Sequence, residues 1–278
     1  MRLHVGCAMW SLKSWQGRYT GSSERLRAYS GWCDAVEGNT TFYATPSLAT
    51  VQSWAAQTSP DFRFVLKLPR EATHVRQLTD FSVLSEFFRV IQPLGERART
   101  LWIQLPGSFG PGDLPVLSRF LRGLPTDFRY AVEVRDPVFF HDPRQLQDLL
   151  SGYAAEWVPF DTTEFFRTPP TSDAEREAWV KKPRMPLRTA ALTGEPIIRY
   201  LGRDDTARTV EGWQRWVPIV AGWLREGRTP TFFVHTPDNA TAPELCRRFH
   251  DEVRALVPEL EPLPTPPVLE PEGPPTLW

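Results

Sequence analysis

The sequence predicts an α/β protein folded as a (β/α)8 barrel of the TIM type, irregular between its sixth and seventh strands. Three observations carry this. Short apolar strands alternate with helical patterns along the chain, as parallel βαβ units require. There are eight such strands, which close most economically into a barrel. Nearly every strand also places one polar residue near its C-terminal end. At 278 residues the chain is long for one domain, but a large barrel absorbs that length.

The first strand is LHVGCAMW, followed by SERLRAYSGW, a helix with Ser23 as its N-cap. DAVEGNTTFY is the second strand, and PSLATVQSWAAQ is a helix with Pro46 near its first turn. RFVLKLP, TLWIQLP and YAVEVRD repeat the strand signature, each closed by Pro or Asp, with FSVLSEFFRVIQPLGERA and LPVLSRFLRGL as helices between them. AEWVPFDTT and PIIRYLG are strands six and seven. TVEGWQRWVPIVAGWLREG is a helical segment interrupted by Pro218; PTFFVHT and the amphipathic APELCRRFHDEVRAL complete the barrel. Between Asp161 and Pro196 the pattern predicts irregular chain with one short helix around Ala174–Val180, either a lid or substrate segment (164–195) or a surface excursion. The expected domain is 1–258, and the Pro-rich 259–278 reads as an extended tail.

Strand faces locate a site. Residues two apart share a face, so Glu133 and Arg135 of YAVEVRD point together, away from Val132 and Val134. Glu37 and Asn39 share a face in strand two. Lys67, Gln104, Arg199 and His235 each stand among apolar neighbours, and strand six ends in Asp161. In a parallel barrel these ends converge on one mouth, with His74 and Trp10 on its rim. A space-filling ion network would leave the same pattern, and desolvation makes such networks weak stabilisers.

Composition narrows the function. The formal net charge is −1 and the cations are scattered, which excludes a dedicated nucleic-acid surface. Cys7, Cys33 and Cys246 have no paired spacing for zinc, read as buried apolar fillers, and fit a reduced, cytoplasmic setting. The N-terminus lacks a signal-peptide core, and no apolar run is long enough to span a bilayer. There is no phosphate loop, dinucleotide turn, zinc-protease helix or nucleophile elbow, so no cofactor is implied. A metal is disfavoured because Lys67, Arg135 and Arg199 would repel a further cation.

The segments VGCAMWSLKSWQG, CDAVEGNTTFYATPS, FRFVLKLPREATH, LWIQLPGSF and YAVEVRDPVFF, in this order, resemble the domain of unknown function 72 family, also called YecE-like. The resemblance covers about residues 3–250 and implies a barrel of the (β/α)8 type. Its characteristic positions fall here on Glu37, Asn39, Thr41, Tyr43, Lys67, His74, Gln104, Pro106, Glu133, Arg135, Asp161 and Arg199. The chain departs from the pattern at both late strands: Leu201 replaces a His, and His235-Thr236 replaces an Asn-Asn pair.

The expectation is an enzyme, a hydrolase or an isomerase, acting on a small polar anion such as a phosphorylated or carboxylated sugar. Glu133 is the candidate acid/base, better suited as base among cations, with Glu37 or His74 as the complementary proton carrier. Lys67, Arg135 and Arg199 hold the anion, and Gln104, Asp161, Asn39, Trp10 and His235 complete the binding set. The alternatives are a non-catalytic barrel that binds an anionic metabolite, and a metal-dependent phosphodiesterase or nuclease.

Overall fold

The computed structural model describes residues 1–21 and 23–268. Among the described residues, nine parallel strands form one curled sheet: β1 (His4–Cys7), β2 (Ala35–Gly38), β3 (Arg63–Lys67), β4 (Thr100–Gln104), β5 (Arg129–Glu133), β6 (Glu156–Trp157), β7 (Phe160–Asp161), β8 (Ile197–Leu201) and β9 (Thr231–His235). The order around the sheet is β6-β5-β4-β3-β2-β1-β9-β8-β7. The two edge strands are therefore neighbours in sequence, separated only by Val158 and Pro159.

The sequence suggests one sixth strand; the structure divides it. Glu156 and Trp157 pair with Ala131 and Val132 on one side, and Phe160 and Asp161 pair with Arg199 and Tyr200 on the other. Pro159 cannot donate to a ladder, so the passage kinks there and serves both neighbours in turn. Its carbonyl still accepts from Arg199 N at 3.0 Å. The ring is thus an irregular TIM-type barrel completed by the chain itself.

Alternation along the strands divides two cores. Val36, Leu66, Ile103, Val132, Tyr200 and Val234 face the surrounding helices and join the main apolar cluster. Ala35, Val65, Trp102, Ala131, Val158, Ile197 and Phe233 form a separate buried cluster inside the barrel. Each except Val158, which precedes Phe160, lies two residues before an inward polar side chain nearer the C-terminal ends. Gly6 lets β1 and β2 approach: a Cβ there would lie 2.1 Å from the Ala35 carbonyl oxygen.

The helical segment around Pro218 is two helices, Thr206–Trp213 and Trp216–Arg225, the second carrying Pro218 in its first turn where a missing N–H costs least. The helix Arg144–Gly152 packs on the β6 side and was not read from the sequence.

The excursion after β7 is ordered and anchored. Its helix Asp173–Lys181 is capped by Ser172, whose hydroxyl accepts from Glu175 N. The buried Arg203, just after β8, donates to Glu175 Oε1 at 2.8 Å and Oε2 at 2.6 Å. It also donates to the carbonyls of Thr168 and Pro169 at 2.8 and 2.9 Å. One guanidinium thereby straps the excursion to the barrel. The Pro-rich tail is tied down as far as Pro264: Glu261 N donates to Met1 O, and Arg247 donates to Pro264 O. Residues 269–278 lie outside the described residues.

Candidate active site at the barrel mouth

Glu37 is the hub of the inward-facing charges. Its Oε1 lies 2.6 Å from Lys67 Nζ and 3.2 Å from Arg199 Nη2, and its Oε2 lies 2.6 Å from His235 Nε2. Lys67 also donates to Gln104 Oε1 at 2.9 Å. Glu133 stands beside this group: its Oε1 accepts from Arg135 Nε at 2.9 Å, and among the described residues its Oε2 has no hydrogen-bond partner, with Arg199 Nη1 3.7 Å away. The cations rest on aromatic rings, Lys67 4.7 Å from the Trp102 centroid and Arg199 4.4 Å from that of Phe160.

Burial sets the electrostatics. It would raise the Glu37 carboxyl, but Arg199, Lys67 and His235 hold it well below the usual range. Glu133 is lowered as well, with Arg135, Arg199 and Lys67 prevailing over burial. Burial and the neighbouring Arg199 push Lys67 down to about 8, against the pull of Glu37 and Glu133. Burial takes His235 down to about 4 despite Glu37, so a neutral imidazole donates its Nε2 proton to that carboxylate.

Less buried groups flank this cluster. Arg135 is one-quarter exposed. His74, on the short helical turn Glu71–Val75 after β3, is half-buried, its Nδ1 engaged by Thr73 Oγ1 at 2.8 Å. Burial, then Arg135 and Arg70, lower its pKa, so it is neutral at pH 7. Lys182 enters from the excursion and was missed by sequence reasoning. Burial and the charges of Arg199 and Arg135 bring it down to about 8, while Glu37 and Glu133 oppose them. Its amine has no ion pair among the described residues. The sequence signal was the tandem Lys181-Lys182 directly after the short helix.

Glu37, Lys67, Gln104, Glu133, Arg135, Arg199 and His235 thus converge, with His74 above them. Three expected members, Asp161, Trp10 and Asn39, do not join. Asp161 faces the helix layer: its Oδ2 accepts from the buried Trp216 Nε1 at 2.8 Å, and its Oδ1 takes the backbone and hydroxyl of Thr163. The inward residue of that strand is Phe160, because alternation puts Asp161 opposite it. Trp10 leans outward, edge-on to Trp54 with centroids 5.2 Å apart. Asn39 supports the rim by donating to Ala8 O at 3.0 Å, and Thr41 ties two strands together through Gly38 O and Lys67 O. Leu201, where the family pattern has His, is buried among Phe160, Phe165, Ala178 and Met185 beneath the excursion.

Residues 4–268 match the family described as "Protein of unknown function DUF72". The chain belongs to the DUF72 family. The YecE proteins of two Escherichia coli strains are 36% identical to it over 266 residues, covering 94% of this chain and 96% of theirs. A DUF72 protein of Enterococcus faecalis shares the fold with a TM-score of 0.68 at 15% identity, over 97% of this chain and 100% of the other. One from Thermotoga maritima does so at 0.66 and 21%, over 91% and 100%. These likenesses bear out the irregular α/β barrel expected from the DUF72 resemblance. Among the described residues, no helix is long and apolar enough to cross a membrane.

Proposed function

We propose that this DUF72 protein is an enzyme, a hydrolase or an isomerase, acting on a small polar anion such as a phosphorylated or carboxylated sugar. One observation carries the reading: two carboxylates, Glu37 and Glu133, face four cations, Lys67, Arg135, Arg199 and Lys182. With both histidines neutral, two positive charges are left over in a half-dry mouth. A dianion matches that surplus, and the low local dielectric strengthens the attraction.

The roles follow from who is already engaged. Lys67, Arg199 and His235 all lie against Glu37, so Glu37 organises cations and His74 is the better proton carrier. The Nη groups of Arg135 and the amine of Lys182 receive the anion. Glu133 Oε2, buried and unpartnered, is the base. The metal-dependent reading loses support because both carboxylates are already matched to fixed cations.

Thermal-shift titration with inorganic phosphate and a panel of sugar phosphates and sugar acids tests this. Stabilisation of the wild type is expected, with affinity falling about ten- to hundredfold in Lys182→Ala and Arg135→Ala, the loss of one charge-assisted contact. Glu133→Gln should retain the anion and lose turnover of whichever compound the wild type converts. Turnover by no compound that binds would favour the non-catalytic barrel. An unshifted melt with every anion would remove the site.

A further inference from the structure

Three thiols far apart in sequence meet outside the barrel wall. Cys7 lies on the helix-facing side of β1, Cys33 in the turn before β2, and Cys246 on the helix Ala242–Leu256. Their sulfur atoms all lie within 4.8 Å of one another, with Cys7 Sγ and Cys246 Sγ 3.6 Å apart. All three residues are fully buried. Sequence spacing suggested separate fillers; the fold gives them a common centre.

We infer that Cys7, Cys33 and Cys246 form a trigonal site for one soft cation, Cu(I) by preference. Thiolates select soft ions. Metal–sulfur bonds of about 2.3 Å place three sulfurs of a planar site about 4.0 Å apart. That lies between the 3.6 Å contact and the 4.8 Å limit of the cluster, so small side-chain rotations suffice. Coordination number chooses the metal. Structural zinc takes four ligands, whereas no fourth His, Asp, Glu or Cys joins this group among the described residues. The three residues are closed to the outside solvent that would otherwise supply one. Simple apolar filling accounts for three buried cysteines, but not for their convergence from three elements.

Binding replaces S–H bonds with Cu–S bonds and releases the thiol protons to solvent, with no change of oxidation state. Because the site is sealed, the ion enters as the chain folds. It then joins the first strand to the last helix.

The test is to unfold the reduced chain, refold it without oxygen in the presence of Cu(I) supplied as its acetonitrile complex, and desalt it against a Cu(I) chelator. One copper per chain is expected, with three sulfur neighbours at about 2.3 Å by X-ray absorption. Cys246→Ala and Cys33→Ser should each weaken retention at least tenfold, while circular dichroism shows them folded. Substoichiometric copper in the refolded wild type, nitrogen or oxygen ligands at the metal, undiminished retention in a folded variant, or a Cys7–Cys246 disulfide in the reduced preparation would each overturn the inference. Should a variant fail to fold, the X-ray absorption of the wild type decides alone.

Discussion

Replacing Glu37 with Gln tests the charged mouth most directly. The substitution keeps the shape and removes the charge that faces Lys67 at 2.6 Å, Arg199 at 3.2 Å and His235 at 2.6 Å. Lys67 and Arg199 would then be buried with Glu133 as the remaining carboxylate, and Arg199 reaches it only at 3.7 Å. Breaking a buried pair by removing one partner costs about 3–5 kcal/mol. At roughly 2–4 °C per kcal/mol for a chain of this size, the melting midpoint should fall by about 6–20 °C. The deficit should also shrink as pH rises. Native Lys67 loses its proton near 8, whereas an unfolded lysine keeps it to about 10.4. Between those values the unfolded state binds more protons, so stability climbs with pH. Without Glu37 the native amine gives up its proton earlier still, and the stranded charge disappears. Circular-dichroism melts of both proteins between pH 6 and 9 would check this. A variant melting within a degree or two of the wild type, or one whose deficit grows with pH, would refute the ion-cluster reasoning.

Three further outcomes are expected. Arg203→Met strands the buried Glu175 and frees the carbonyls of Thr168 and Pro169, so the helix Asp173–Lys181 should lose hydrogen-exchange protection while the strands keep theirs; unchanged protection would count against the strap. Asp161→Ala leaves the buried Trp216 indole unpaired and should cost about 1–3 kcal/mol in denaturant unfolding with phosphate affinity unaltered; a large affinity loss would return Asp161 to the mouth. Gly6→Ala forces a methyl group to within 2.1 Å of the Ala35 oxygen and should destabilise by about 1–3 kcal/mol or more, visible as a lower melting midpoint. A neutral result would mean that β1 and β2 lie farther apart.

Much of the fold could be read from the chain because each strand keeps two faces distinct. Val36, Leu66, Ile103 and Val132 face helices, while Glu37, Lys67, Gln104 and Glu133 face inward, and only a parallel barrel gathers such positions. The misplacement of Asp161 arose where that rule was least visible. Pro159 interrupts the strand, and its terminal acid reads as inward although Phe160 occupies that phase. Trp10 lies beyond the end of β1, where alternation no longer applies, and its partner Trp54 is 44 residues away. Lys182 was hidden for a different reason: it sits past a short helix in irregular chain, and its position depends on the Arg203–Glu175 contact, which no local pattern announces. The meeting of the three cysteines depends likewise on docking the last helix against the first strand.

The split stave at Val158 and Pro159 has a mechanical consequence. Counting both neighbours, every other stave is paired at six or more positions, but the split one at only four, two on each side. The hoop is therefore thinnest there, and its amides should be the first of the wall to exchange with solvent. That same stave carries Phe160 against the guanidinium of Arg199 and leads straight into the excursion bearing Lys182. When the wall breathes, it breathes where the charges are.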